Sequence, residues 1–599
     1  MFPMHATARK RWCVSRRRRW QLLALLWLGG LLLPPAVRAL SLDVEVSGIA
    51  GQRKSNVLAR LAIHQEQKAG DLTVPRLLAL YRRAPQQIRD ALAPFGLYRV
   101  QVDDRLERPD DPNGRWVARF RIDPGEPVTI GSVDYRITGP GAENPAFPPV
   151  FPMQPGDVLL HADYDRAKGE ITTTASEQGY LDAALVRHVV LIDPVAYEAH
   201  IEFHLETGPR WYFGPVSFRQ DLLADEYLEK FVDFAPGDVY DPDVLLGLQG
   251  RLIGMEYYRN IEIVPLKDEA GADRRVPIRV VAERNKANKY RVGVGFATDQ
   301  GPRFSLDYRR RYIGPRGHKL KAELEIAPVT QSLVAEYRIP FRNPVADYVQ
   351  LRPEIYAFDT ASRQGTLFKV GALQSVVTPG GWRRNLGLEY RYEDYRVAEA
   401  DSDSFTGLVP HASWSRVVAD DPINTKDGYR LKLLLQGTAR NVLSETSYLS
   451  GSTNYKAIRS LGADNRFIGR MNLGATWATS IRDVPASQRF FAGGDTSIRG
   501  WGLDALGPRD PQTGQVVGGR FLAVGSLEYQ RTIKGPWSGV VFTDFGNAFD
   551  PDYNADWEQS AGLGLRFGTP IGPVRVDVAY AITKEPAGFR LHLGLGPDL

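Results

Sequence analysis

Lys319-Leu320-Lys321-Ala322-Glu323-Leu324-Glu325-Ile326 alternates charged and apolar side chains for eight residues, and its reading decides the fold. In an extended strand successive side chains leave opposite faces, so the two lysines and two glutamates share one face. Segments of the same kind recur at Asn385 to Tyr392, Tyr429 to Leu435, Phe467 to Trp477, Val574 to Ala581 and Phe589 to Leu595. From residue 287 onward there are about sixteen of them, roughly 19 residues per strand and turn, the spacing of a membrane barrel. A soluble sandwich or propeller would bury the apolar face against another sheet. A barrel turns that face to lipid and the charges to a watery lumen. With no helical period intervening, the pattern predicts an all-β transmembrane barrel of about 16 antiparallel strands over residues 287–599.

Working back from the barrel, residues 40–286 have a different texture. Pro155-Gly156-Asp157-Val158 recurs as Pro236-Gly237-Asp238-Val239, and Ile130-Gly131-Ser132-Val133 as Phe213-Gly214-Pro215-Val216. A helix-like stretch ending in tyrosine recurs around Tyr98, Tyr180 and Tyr258. The period of roughly 80 residues is that of a small domain, not a solenoid repeat. Three α+β modules are predicted, at 40–126, 127–208 and 209–286, each ordered strand, helix, helix, strand, strand. In the third, Glu226 to Phe234 and Asp243 to Glu256 read as the helices.

Residues 1–39 read as a secretory signal peptide: a basic start, the apolar run Leu22 to Leu33, and a small-residue end at Ala39. That run is shorter than the roughly 20 residues a spanning helix needs. The formal charge of +5 belongs to this leader, since eight of the 75 basic residues lie in it and none of the 70 acidic ones does. Nucleic-acid binding therefore has no support. The chain has one cysteine, Cys13, so a disulfide scaffold and a thiolate metal cluster are excluded.

One interval is too long for a turn. About 40 residues, 480–519, separate two barrel strands, where most connections are far shorter. They contain Phe491-Ala492-Gly493-Gly494-Asp495-Thr496-Ser497-Ile498-Arg499-Gly500-Trp501. Farther on come Val541-Phe542-Thr543-Asp544-Phe545-Gly546-Asn547 and the hairpin sequence Gly562 to Arg575. These motifs resemble those of the outer-membrane assembly superfamily that includes BamA and TamA, and the three repeats resemble its POTRA modules. The resemblance implies that the loop folds into the lumen. Arg499, Gly500 and the aromatic Trp501 form its tip, and Phe542 and Asp544 hold the arginine. A guanidinium in a watery lumen gains most from a fixed carboxylate, with a ring face beside it. Three modules and the ending Leu593 to Leu599 are most similar to the TamA branch.

The first barrel strand, Tyr290 to Phe296, and the last, Phe589 to Gly596, must meet to close the barrel. Each carries two glycines on its lumen-type face: Gly293 and Gly295, Gly594 and Gly596. Glycine packs nothing in a strand and costs roughly 0.5–1 kcal/mol relative to alanine. A weak lateral seam is expected there, opening to offer strand edges to an incoming chain. Facing strands would put Val292 near Leu593, where a disulfide would hold it shut. The competing reading is that the glycines only permit curvature.

Other chemistry is sparse. His200-Ile201-Glu202-Phe203-His204 alternates as a strand, not as the helical zinc-protease motif, and reads as a solvated face. Arg309-Arg310-Arg311, placed at a barrel turn, reads as a headgroup or lumen contact rather than a nucleic-acid site, and Asp495-Thr496-Ser497 has no histidine near it in sequence. No nucleophile with a base and no cofactor cradle is found, so no enzymatic activity, metal or cofactor is expected. The resemblance implies an outer-membrane protein with periplasmic modules that helps insert or secrete other outer-membrane proteins, such as autotransporters. It also implies a TamB-like periplasmic partner. A TamB-linked phospholipid conduit and a dedicated two-partner secretion pore remain as alternatives.

Overall fold

The computed structural model describes residues 40–596 apart from 69–71, 112–113, 443, 571 and 585. The leader read over residues 1–39, with Cys13, and the end from Pro597 lie outside the described residues. The chain divides into one unit up to Trp211 and another from Tyr212.

The first unit holds two modules. Module 1 runs β1 (Leu42–Ser47), α1 (Gly51–Arg60), α2 (Val74–Leu92), β2 (Gln101–Glu107) and β3 (Trp116–Asp123). The last strand enters the middle of the sheet, parallel to β1 and antiparallel to β2. In α2 the residues Leu77, Leu80, Ala84, Ile88 and Ala91 recur at helical spacing and are buried. They pack with Val57 of α1 over Ala118, Phe120 and Ile122 of β3. Module 2 repeats the sheet with β4 (Thr129–Thr138), β5 (Ala184–Asp193) and β6 (Glu198–Glu206), ordered β4-β6-β5.

Module 2 departs from the expected order, for it has α3 (His161–Glu177) but no earlier helix among its described residues. Six prolines between Pro140 and Pro155 deny that segment its helical amide donors. Phe147, Phe151 and Met153 fill the same part of the core from an irregular loop instead. His200, Glu202 and His204 share the half-exposed face of β6, where His204 pairs with Asp134 and His200 with Ser132.

The second unit begins with module 3: β7 (Tyr212–Arg219), α4 (Pro242–Gly254), β8 (Tyr258–Pro265) and β9 (Arg275–Arg284), ordered β7-β9-β8. Asp241 caps α4 by accepting from Asp243 N at 2.8 Å, with Pro242 at the first position. The helix expected over Glu226 to Phe234 is shorter, a single α-turn Asp225–Leu228 running into a 3₁₀ turn Glu229–Phe231. The chain must straighten there to enter the turn at Pro236-Gly237-Asp238. That turn needs Gly237 at φ +102° and the Asp238 carboxylate accepting from Ala235 N at 2.7 Å.

Sixteen strands follow, each antiparallel to the next. The first eight are β10 (Asn288–Ala297), β11 (Gly301–Ile313), β12 (His318–Ile326), β13 (Thr330–Pro340), β14 (Asp347–Asp359), β15 (Arg363–Val377), β16 (Arg383–Val397) and β17 (Asp403–Ala419). The others are β18 (Gly428–Thr438), β19 (Tyr448–Leu461), β20 (Asn465–Trp477), β21 (Phe521–Lys534), β22 (Trp537–Phe549), β23 (Glu558–Phe567), β24 (Val574–Ala581) and β25 (Gly588–Leu595). Outward positions are apolar and exposed, as at Val292, Val294 and Phe296 of β10 and Leu563 and Leu565 of β23. The Arg309-Arg310-Arg311 run lies within strand β11, not in a turn. Arg309 and Arg310 pair with Lys289 and Asn288, and Arg311 donates to Lys286 O at 2.8 Å.

Module 3 grips the barrel through the β11–β12 turn. Tyr257 donates to Gly317 O at 2.7 Å, and Ala224 N to Pro315 O at 3.0 Å. Lys319 donates to Met255 O at 2.6 Å and lies 4.4 Å above the Tyr257 ring.

The wall is uneven in height. Strand β17 has 17 residues, whereas β24 and β25 have eight each. At about 3.4 Å per residue and a tilt near 45°, eight residues rise roughly 19 Å, against about 30 Å of hydrocarbon. Beside this short wall, β10 and β25 share no ladder hydrogen bond among the described residues. The barrel is nearly, not fully, closed.

Candidate functional site

Four strands aim their inward positions at one spot. Alternation places Phe542 and Asp544 on the inner face of β22, and Ser526 and Glu528 on that of β21. Register then sets Ser526 beside Asp544 and Glu528 beside Phe542. Arg566 of β23 and Asp577 of β24 complete the group and bond each other. Gly562 faces Phe542 across the β22–β23 ladder, and a side chain there would collide with the ring.

Into this group comes Arg499, from the connection between β20 and β21. Its Nε and Nη2 donate side-on to the two Asp544 oxygens at 2.7 and 2.8 Å. Its Nη1 reaches Asp577 at 3.0 Å, and Nη2 also lies 3.1 Å from Glu528. The backbone N of Arg499 donates to Asp544 as well, at 3.0 Å. The guanidinium carbon lies 3.4 Å from the centre of the Phe542 ring. Arg499 is 3% exposed and Asp544 0%. Burial opposes the charge, but the Asp544, Glu528 and Asp577 carboxylates outweigh it and raise the guanidinium pKa. Such a fork-to-carboxylate pairing fixes direction as well as energy.

Trp501 is buried with Ala492, Ile498 and Leu506 of the loop against Val524 and Ala581 of the wall. Gly500 has φ +100°, and a methyl there would come 3.2 Å from the Ala581 methyl. Gly500→Ala should therefore strain the tip by about 1–3 kcal/mol. The measurable result is faster trypsin nicking at Arg489 and Arg509, with heat-modifiable gel mobility of the barrel unchanged.

The loop has three more moorings that the sequence reading did not find. At its base Arg520 donates to both oxygens of Asp550, at 2.8 and 3.0 Å. Midway, the buried Glu393 carboxylate accepts from Ser487 N and Oγ, at 2.8 and 2.6 Å, and Arg363 donates to Asp504 at 2.9 Å. Beneath the tip a polar cavity of about 490 Å³ remains, lined by Arg430, Lys456, Arg470, Glu528 and Arg575 among others.

The four seam glycines fall on β10 and β25 and just beyond, with Gly293 and Gly295 facing the lumen. The residue that meets Leu593 is Thr298 rather than Val292: Leu593 N donates to Thr298 Oγ1 at 2.8 Å. Thr298 lies six residues beyond Val292, just past the end of β10, a register that no local pattern specifies. His592 of β25, not noticed in the sequence, is 3% exposed and bonded to Asp495 of the loop. Asp299, Asp495 and His592 thus come together from three distant parts of the chain.

Residues 313–598 match the Omp85 superfamily domain. The match takes in fourteen of the sixteen barrel strands, β12 to β25. Residues 43–124 match the family described as POTRA domain TamA domain 1. The outer membrane protein assembly factor BamA of Nitratidesulfovibrio vulgaris is 25% identical over 468 residues, covering 73% of this chain and 55% of that protein. BamA of Neisseria meningitidis is 21% identical over 520 residues, covering 74% and 63%. The chain thus spans roughly half to two thirds of the length of these relatives. The structure of BamA from Haemophilus ducreyi lacking POTRA domains 1–3 superimposes with TM-score 0.68 at 16% identity. That alignment covers 78% of this chain and 99% of the other, so the fold is shared. The chain is an outer-membrane barrel with POTRA-like modules in the periplasm.

Proposed function

We propose that this protein inserts or translocates other outer-membrane proteins, autotransporter-like clients among them, by offering the edges of β10 and β25 to an unfolded chain. The observation that carries the reading is the missing ladder between those two strands. An open sheet edge in hydrocarbon leaves amides and carbonyls unsatisfied, so it is retained only where something will pair with it. The short wall formed by β24 and β25 lowers the hydrocarbon barrier at the same place. That the BamA relatives are outer membrane protein assembly factors supports assembly, and the TamA-type first module supports a periplasm-spanning TamB-like partner. Hydrogen bonds formed by the client as it folds supply the free energy, so the protein works without covalent chemistry, cofactor or nucleotide.

The test is reconstitution of the full chain in liposomes with an unfolded autotransporter barrel, reading client folding by heat-modifiable mobility. Folding should be faster than in empty liposomes of the same lipid. In a deletion strain, client barrels should fall while phospholipid asymmetry holds. Unaided folding at an equal rate, or lipid imbalance with normal client levels, would overturn the assembly reading.

A further inference from the structure

At the top of the seam, four side chains form a ring across it. Asp299 follows β10, and its carboxylate accepts from Asp495 N of the loop and from Arg590 of β25, the latter at 3.1 Å. The Asp495 carboxylate bonds His592 Nδ1. His592 and Arg590 are two residues apart on β25 and point the same way, which closes the ring. Gly500 N lies 2.9 Å from His592 Nε2. An amide can only donate, so Nε2 accepts and Nδ1 carries the proton, which goes to Asp495. Both nitrogens of this buried ring are therefore spent on the loop. Burial and the neighbouring Asp495 charge raise the Asp299 carboxyl above its ordinary range.

We propose that the long loop itself latches the seam, with Asp495 as the link that joins the end of β10 to β25 where strand pairing is absent. Among the described residues, two bonds cross the seam without the loop, Leu593 N to Thr298 Oγ1 and Arg590 to Asp299. Arg499 fastens the loop to the neighbouring wall, while Asp495 and His592 fasten the seam to the loop. Release of the tip then takes the Asp495 links away from both edges, so the loop holds the edges back until a client displaces it. The inference rests on the assembly reading for its purpose, but its test needs no client.

The experiment is hydrogen exchange by mass spectrometry on the purified full chain in nanodiscs, comparing wild type with Asp495→Ala and Asp299→Ala. Loss of a charge-assisted bond should speed exchange in peptides covering 288–297 and 588–595 by about tenfold or more. Peptides covering 363–377 and 383–397 should be unaffected. Asp495→Asn keeps an acceptor for His592 Nδ1 and should stay nearer wild type. Should Asp495→Ala fail to fold, His592→Ala gives the same reading from the other side of the bond. Unchanged seam exchange in the folded variants, or a rise equal throughout the barrel, would overturn the latch. Either result leaves the reconstitution test of assembly standing on its own.

Discussion

Arg499→Ala should unseat the long loop while leaving the barrel folded. The substitution removes both guanidinium donors to Asp544, keeps only the backbone N of residue 499, and leaves a fully buried carboxylate beside Glu528 and Asp577. Breaking one partner out of a buried ion pair costs about 3–5 kcal/mol, more than the net worth of the pair, because the remaining charge is stranded. Arg566 already serves Asp577 and Glu528, and Arg470 lies 3.6 Å from Asp544, so part of the loss is recovered. The expected result is trypsin nicking at Arg482, Arg489 or Arg509, all in the loop, at protease levels that spare wild type. Client assembly should fall with it. Barrel yield and heat-modifiable mobility should hold, since no ladder bond involves Arg499. Arg499→Lys should not restore seating, because a single ammonium cannot reach Asp544 side-on and Asp577 together. Normal protease resistance in Arg499→Ala would sink the role of the pair.

Cysteines at positions 298 and 593 should give the largest functional change. Leu593 N lies within hydrogen-bond distance of the Thr298 side chain, so the two residues are neighbours across the seam. Cys13 is the sequence's one cysteine and falls in the segment read as a leader, so no other thiol in the barrel competes. Oxidation should nearly abolish client insertion, and a reductant should restore it in the same sample. The single variants Thr298→Cys and Leu593→Cys should work in either state. A crosslinked protein that still assembles clients at the wild-type rate would show that the edges need not part.

Much of the architecture was legible because it is local. The two-residue alternation of Lys319 to Ile326 identifies a strand with one wet and one greasy face, and repetition of that pattern implies the barrel. The Arg499–Asp544 pair was reached through the loop length and the motif resemblance, and the structure brings Arg499, Gly500, Trp501, Phe542 and Asp544 together. Where local pattern misled, packing had other means. The helix expected between β4 and α3 is replaced by a proline-rich loop whose phenylalanines serve the same core. The three arginines at 309–311 continue a strand because Arg309 and Arg310 pair with Lys289 and Asn288 of β10 and Arg311 N donates to Ala287 O just before it.

What the sequence determined by itself is the kind of each element: periodicity and turn residues act over a few positions and need no partner to be read. What only the tertiary structure decided is register and convergence. Asp577, Glu528 and His592 carry no mark that sets them apart from other inward polar residues. They become a site because ladder pairing brings five strands, β21 to β25, into step under one loop tip. The open seam is of the same kind, since whether β10 and β25 pair depends on hydrogen bonds between residues some 300 positions apart, which no short stretch of chain encodes.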